Sequence, residues 1–543
     1  MPGAGKTTQL GYKLIEKLNN GNDIFDICFC TFSKSQANDI KDRISQKVNI
    51  ERKELNHSYF GTIHHCCVKL LDWDLKNKNP SLATDLDKAK FLSKWGFNYP
   101  IKSDNPKSLP ESILTDDDVS EATDEEKIFS VINWCNQRLI SLKNWKKSNI
   151  SFYSIDPGLI YDICKSWNDY KHHNDLVDFD DMLLEIVKND YVPSCKILFV
   201  DEFQDLTPLL HKVISIWGKD VEESFYVAGD DDQTIYTWSG ANPDYLLNFN
   251  AQTQILSESF RVPSEIITKA NSLIETISNR QNKQLSSKKN GGAFIYLKSP
   301  TKDDILDHIE HIHPEKTIYF LFRTNYLADM WCKEVLLPFG IPYKKLKPGI
   351  RIPDPWSKKV IALRNLFVKL KGNISINKFE LKTLIKILPS CSRGRLDSYV
   401  RWGKKRSFDE DTNNEFTLRK ILTYYLTKIP TFNSNIVQRE FNDVQRVTFN
   451  QNLSSKYSLF NPYNIRVGTL HSAKGLEADV VFVFNNHGQK TEQSLIEHGQ
   501  HARDCETRLY YVGITRAKET CFLVDDFFNK YVFGMEEINR KNL

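Results

Sequence analysis

The chain has 543 residues, more than one hydrophobic core can organise, and its length predicts roughly three or four domains or subdomains. With 40% hydrophobic and 26% charged residues it is neither disordered nor fibrous, and a formal net charge of +4 means that any polyanion must be met by local basic grooves rather than by a basic molecule. No apolar run reaches the length of a membrane span, and the N-terminus carries glycines and a lysine where a signal peptide needs an apolar stretch, so a soluble intracellular protein is expected.

In chain order, the first signal is Pro2-Gly3-Ala4-Gly5-Lys6-Thr7-Thr8, the second half of a phosphate-binding loop. Gly3, Ala4 and Gly5 let backbone N–H groups approach phosphate oxygens, Lys6 neutralises the β/γ charge, the Thr7 hydroxyl suits Mg²⁺, and Thr8 follows at the helix start. In the full pattern Gly-x-x-x-x-Gly-Lys-Thr the first glycine would stand immediately ahead of Met1, and the strand that feeds the loop is missing too, so the sequence is expected to begin too late. Ile27 to Cys30 is an unbroken apolar run, read as a parallel strand covered on both faces, and it leads into Thr31-Phe32-Ser33. Gly61-Thr62-Ile63-His64 follows. The run His64-His65-Cys66-Cys67 lacks the spacing of a closed zinc site, and the 11 cysteines contain no Cys-x-x-Cys pair, so no metal is expected there and a reducing compartment fits.

Residues 72 to 168 carry tryptophans and leucines at helical spacing, with an acidic stretch from Asp116 to Glu126 read as a solvated loop in a mostly helical insertion. After Asp178-Phe179-Asp180-Asp181 comes the strand Ile197 to Val200, which delivers Asp201 and Glu202 at its C-terminal end, where open α/β sheets place their ligands. Asp201 is suited to hold Mg²⁺ and Glu202 to orient and deprotonate an attacking water, which with the phosphate loop makes a nucleoside-triphosphate hydrolase. Phe225 to Ala228 is the next strand, followed by Gly229-Asp230-Asp231-Asp232-Gln233-Thr234-Ile235-Tyr236, Trp238, Gly240 and Ala241, then Ser259-Phe260-Arg261. Strands at Ile318 to Phe322 and Val480 to Phe484 mark a second α/β core, interrupted by a Lys/Arg-rich insertion at about 346 to 445 that reads as helical around Val360 to Leu370 and Phe379 to Leu388. The last signals are Thr469-Leu470-His471-Ser472-Ala473-Lys474-Gly475-Leu476-Glu477 and Tyr511-Val512-Gly513-Ile514-Thr515-Arg516-Ala517-Lys518.

From Asp201 onward these segments resemble, in order, the motifs of the UvrD/Rep/PcrA-like superfamily 1 DNA helicases: Asp201-Glu202-Phe203-Gln204-Asp205 is similar to the DExQD box and Gly229 to Tyr236 to the GDxxQxIY segment. The resemblance implies an α/β protein with two RecA-like parallel-sheet cores: 1–71 with 169–255, interrupted by 72–168, and 256–345 with 446–543, interrupted by 346–445. It implies ATP and Mg²⁺ as cofactors, ATP-driven closure of the cores, and 3′-to-5′ movement on single-stranded DNA in repair, recombination or replication. Arg261 and Arg516 match the arginines that reach the γ-phosphate, Gln233 its sensor, Phe260 the aromatic that stacks on adenine, and Glu477 a contact to the nucleotide sugar. Phe32, Tyr236 and Trp238 match base-stacking positions, while Thr62, His64, Thr469 and His471 match other strand contacts. Ser239 departs from the family, whose members usually carry arginine after the tryptophan, and the second insertion looks reduced, which leaves translocation better supported than unwinding. Implied partners are single-stranded DNA, single/double-strand junctions and accessory proteins of replication or repair, with no membrane, a monomer or weak oligomer, and a cytoplasmic or nucleoid-associated location. Two other readings are a translocase that separates duplex poorly and an inactive DNA-binding scaffold. The charged groups kept in both cores speak against the scaffold.

Overall fold

In the computed structural model the described residues are 2–32, 34–48, 50–73, 80–101, 122–346 and 455–535, together with 356, 361 and 452. The helices expected at Val360 to Leu370 and Phe379 to Leu388, and nearly all of the basic insertion, lie outside them. The chain divides into two compact units, one made of Met1–Phe294, His487–Thr520 and Phe533–Leu543, the other of Ile295–Asn486 and Cys521–Val532.

The first unit contains β1 (Ile27–Thr31), β2 (Tyr59–Thr62), β3 (Ser81–Leu82), β4 (Leu176–Val177), β5 (Ile197–Val200), β6 (Ser224–Val227), β7 (Glu258–Ser259) and β8 (Ser286–Ser287). Its main sheet has the order β2-β1-β5-β6, and all three pairings are parallel. Successive side chains of a strand point to opposite faces. Thus Ile27, Phe29, Ile197 and Phe199 pack on one side with Leu10, Leu14, Ile40 and Ile44 from the helices Lys6–Asn19 and Lys34–Val48. On the other side Cys28, Cys30, Leu198 and Val200 meet Ile63, Leu183, Leu209 and Val213 from the helices Ile63–Leu70, Phe179–Asn189 and Pro208–Lys219. Burial on both faces is why these strands are apolar without alternation.

Between β2 and β5 lies a helical cluster with its own core, in which Phe91, Ile128, Val131, Ile160, Ile163 and Trp167 are buried. The acidic stretch is not a solvated loop where it is described. Asp124 opens the helix Asp124–Gln137 behind a Thr123/Glu126 capping box, and Asp124 and Glu126 are buried. Asp124 accepts hydrogen bonds from Tyr153 N (2.7 Å), Ser154 and Lys127 Nζ (3.1 Å). Burial pushes its carboxyl up, and these donors outweigh it, drawing the group to about 2.

The second unit is built on a six-stranded sheet formed by β9 (Ala293–Lys298), β10 (Ile318–Phe322), β11 (Lys344–Lys345), β12 (Ile465–Thr469), β13 (Ala478–Asn485) and β14 (Ala517–Asp525), in the order β11-β12-β10-β13-β14-β9. The β10–β12, β10–β13 and β11–β12 pairings are parallel. Its core is aromatic: Phe320 stacks on Phe482 (5.0 Å between centroids), Phe322 on Phe484 (4.3 Å), and Trp331 packs against both pairs. Two α/β units with parallel sheets agree with the expected fold class. No helix among the described residues is long and apolar enough to cross a membrane.

Candidate functional site

Gly5 stands at the start of the helix Lys6–Asn19 with φ 78° and ψ 24°, a left-handed conformation that a side chain would disfavour. The helix therefore presents its first-turn N–H groups and the positive end of its dipole to the loop, a combination suited to an anion. Gly3 also has positive φ (68°), and a Cβ there would lie 2.6 Å from Arg261 Cβ. Ser259 Oγ donates to the Pro2 carbonyl (2.8 Å) and the Phe260 N–H to the Gly3 carbonyl (3.0 Å), so the turn at 259–261 clasps the loop.

At the end of β5, Asp201 Oδ2 accepts a 2.6 Å hydrogen bond from Thr7 Oγ1. Burial, and then the neighbouring Glu202 charge, push the Asp201 carboxyl up to about 6. A hydroxyl and a carboxylate oxygen side by side, with negative charge in excess, form a donor set that fits a hard divalent cation such as Mg²⁺. Glu202 has φ 55°, strained for a residue with a Cβ. Its two oxygens accept from Gln36 Nε2 (3.1 Å) and Gln204 Nε2 (2.6 Å). Gln204 Oε1 in turn accepts the Asp230 N–H (2.8 Å), and a Cβ at position 229 would lie 2.6 Å from that oxygen, which makes Gly229 necessary.

Asp230, Asp231 and Asp232 are all buried. Gln233 Nε2 donates to Asp230 Oδ2, and the fully buried Arg516 donates to Gln233 Oε1 (3.2 Å) through Nη2 and to the Val512 carbonyl (2.8 Å) through Nε. Lys6 Nζ lies 3.7 Å from Asp230 Oδ2. Lys283 Nζ sits among the three carboxylates at 2.9, 2.5 and 3.0 Å, and Arg280 grips Asp232 through two bonds of 2.9 and 2.8 Å. Arg508 donates to the carbonyls of Asp231 (3.1 Å) and Asn279 (2.6 Å). Although burial works against it, the ammonium of Lys283 holds the Asp230 carboxyl well below the usual carboxylate range. Gln36, Arg280, Lys283 and Arg508 stand in no recognisable motif of the sequence. The one sequence signal, and only for Arg280 and Lys283, is that three adjacent buried acids require counter-charges.

Phe32 and Tyr236 stack with centroids 5.5 Å apart and planes at 19°, and Trp238 meets Tyr236 edge-on at 6.2 Å. Thr62 caps the helix Ile63–Leu70, its hydroxyl accepting the His65 N–H (3.2 Å), while His64 lies edge-on to Phe179 at 5.8 Å. Burial lowers the His64 imidazole to about 4, so it is neutral at physiological pH. Where Ser239 replaces the expected arginine, its hydroxyl donates to the Tyr236 carbonyl (2.7 Å), and Arg138 of the helical cluster donates to the carbonyls of Thr237 (3.2 Å) and Trp238.

The first unit thus brings together residues 2–8, 201–204, 229–233, 259–261 and 515–516, with Phe32, Thr62, His64, Tyr236 and Trp238 in the same unit. Thr469, His471 and Glu477 belong to the second. There Thr469 ends β12 and accepts the Ser472 N–H (3.3 Å), His471 is buried in the turn that follows, and Glu477 is exposed before β13.

Residues 1–254 match the family described as UvrD/REP helicase N-terminal domain, and residues 404–525 that described as UvrD-like helicase C-terminal domain. A probable DNA helicase II homolog from Mycoplasma capricolum is 25% identical, the match covering 96% of this chain and 81% of the relative. The ATP-dependent DNA helicase PcrA of Staphylococcus epidermidis is 22% identical over 99% of this chain and 82% of its own length. The ATP-dependent DNA helicase Rep of Buchnera aphidicola is 25% identical over 96% and 89%.

Proposed function

Because the chain belongs to the UvrD/REP helicase family and is an ATP-dependent DNA helicase, we propose that it runs 3′ to 5′ along single-stranded DNA in repair, recombination or replication, on the residues assigned below. The proposed cores are 1–71 with 169–255 and 256–345 with 446–543.

Gly3, Ala4, Gly5, Lys6 and Thr8 cradle the phosphates, and Phe260, 66% exposed beside the loop, is free to stack on the base, with Glu477 assigned to the sugar. Thr7 and Asp201 would hold Mg²⁺, which when bound offsets charge developing on the phosphoryl oxygens. Glu202, held at both oxygens by Gln36 and Gln204, aligns a water and takes its proton. Arg261 and Arg516 stabilise the transferring phosphoryl group, and a finger of this type contributes about 10³ to 10⁵ in rate. On the strand, Phe32, Tyr236 and Trp238 stack on bases, while Thr62, His64, Thr469 and His471 supply polar contacts.

The observation that carries the reading is the line Arg516–Gln233–Asp230, because Tyr236 stands only three residues beyond Gln233. A change in what Arg516 and Gln233 hold reaches the base-stacking pair Phe32–Tyr236 through one short turn. Duplexes with a single-stranded tail at either the 3′ or the 5′ end test the direction. ATP-dependent strand separation from the 3′-tailed duplex alone is expected. Separation from the 5′-tailed duplex alone would overturn the polarity.

A further inference from the structure

Cysteine is among the most buried residue types and usually serves as a small apolar filler. Under the main sheet of the first unit, however, thiols converge from three distant parts of the chain. Cys28 and Cys30, two apart on β1, point to the same face, and Cys66 rises from the helix Ile63–Leu70 to meet them. Cys28 Sγ lies 3.6 Å from Cys30 Sγ, which lies 3.8 Å from Cys66 Sγ, and all three sulfurs fall within 4.8 Å of one another. Cys195, on the segment entering β5, is a fourth thiol beside Cys28, outside the set of three mutually close sulfurs.

Four thiolates around Zn²⁺, each about 2.3 Å from the metal, stand about 3.8 Å apart along the edges of a tetrahedron. Two of the edges, Cys28–Cys30 and Cys30–Cys66, already have that length, and Cys195 must draw in to complete the tetrahedron. Cys28, Cys30 and Cys66 are fully buried, whereas Cys195 is partly exposed and provides the access route. Positive charge is at hand to balance deprotonated sulfurs. Lys41, itself buried, and Lys69 both interact electrostatically with Cys66. Cys67, although adjacent in sequence, is not part of the mutual set.

We propose that Cys28, Cys30 and Cys66, completed by Cys195, form a thiolate site for Zn²⁺ that ties β1, the helix Ile63–Leu70 and the approach to β5 together. Binding displaces one proton from each coordinating thiol, with no change of oxidation state. Phe32 follows this stretch of β1 and Thr62 caps the same helix, so the ion would brace the elements that carry both residues.

The test uses the full chain, loaded with Zn²⁺, dialysed against metal-free buffer and analysed for metal, beside Cys66→Ser, Cys195→Ser and, as a control, Cys164→Ser in the helical cluster. About one Zn²⁺ per chain is expected, released on titration with a mercurial, reduced severalfold in the first two variants and unchanged in the control. Co²⁺ in place of Zn²⁺ should give sulfur-to-metal charge-transfer bands in the intact chain. That measurement decides alone if Cys66→Ser fails to fold. Absence of those bands and of retained Zn²⁺ in the intact chain, or full retention in a folded Cys66→Ser protein, overturns the proposal.

Discussion

In the first unit Asp201, Asp205, Asp230, Asp231 and Asp232 are buried, and Lys6, Arg280 and Lys283 pair with the last three. In the second unit the core around Phe320, Phe322, Trp331, Phe482 and Phe484 is aromatic, and ion pairs such as Lys333–Asp329 and Lys302–Glu334 are solvent-accessible. Buried charge is costly unless each group is paired, and apolar residues of equal volume would often stabilise as well or better. A unit that keeps so many buried acids does so because its chemistry needs them. The other unit shows what a sheet looks like when burial of apolar area is the main requirement.

Removing one cation from the aspartate cluster should have the largest effect. Lys283→Met leaves three buried carboxylates short of a counter-charge and should cost about 3–5 kcal/mol, read as a lower urea midpoint together with loss of ATP hydrolysis. Phe484→Ala in the second unit should cost a similar amount, about 3–5 kcal/mol, through the cavity alone. A folded Phe484→Ala protein should keep its ATP turnover per molecule, and a matching loss of turnover would erase the contrast between the units.

Asp180 sharpens the comparison through pH. It accepts from Asn133, Asn136 and Gln137, and burial, followed by the charge of Asp178, raises it to about 7. Between pH 4 and 7 the folded chain keeps a proton there that the unfolded chain has lost, so this contribution to stability is present below about pH 4 and disappears as pH rises towards 7. Asp180→Asn should flatten that slope by roughly 2–4 kcal/mol across the window, measured by denaturant titration at several pH values.

Smaller effects are expected at the surface. Tyr236→Ala should weaken single-stranded DNA binding by about 1–3 kcal/mol, seen in fluorescence anisotropy, while DNA-free ATP hydrolysis persists. Lys333→Ala should change stability by less than about 1 kcal/mol, since an exposed pair is screened by solvent. A loss there equal to that of Lys283→Met would mean that burial does not distinguish the two units.

The strands were legible because sheets covered on both faces leave unbroken apolar runs, and Ile197 to Val200 is β5 to the residue. Asp201 and Glu202 were legible because strand end, acid pair and phosphate loop follow one another in a fixed chemical grammar. Lys283 was not, standing in the polar run Gln281-Asn282-Lys283-Gln284, and only the folded chain places it on acids some fifty residues away. Thr62 reads as a strand contact, yet its hydroxyl also caps a helix, a local use that spacing does not reveal. Nor did spacing disclose the thiols, because a Cys-x-x-Cys pattern joins neighbours in sequence, whereas Cys28 and Cys30 meet Cys66 only in the folded chain.

The most direct measurement is ATP hydrolysis by the full chain with and without single-stranded DNA, beside Glu202→Gln. Strong stimulation by DNA in the parent and a drop of about 10²- to 10⁴-fold in the variant, with DNA binding retained, is the predicted result. Hydrolysis indifferent to DNA, or undiminished in Glu202→Gln, would contradict a motor in which Glu202 activates the water and Tyr236 reports hydrolysis to the strand.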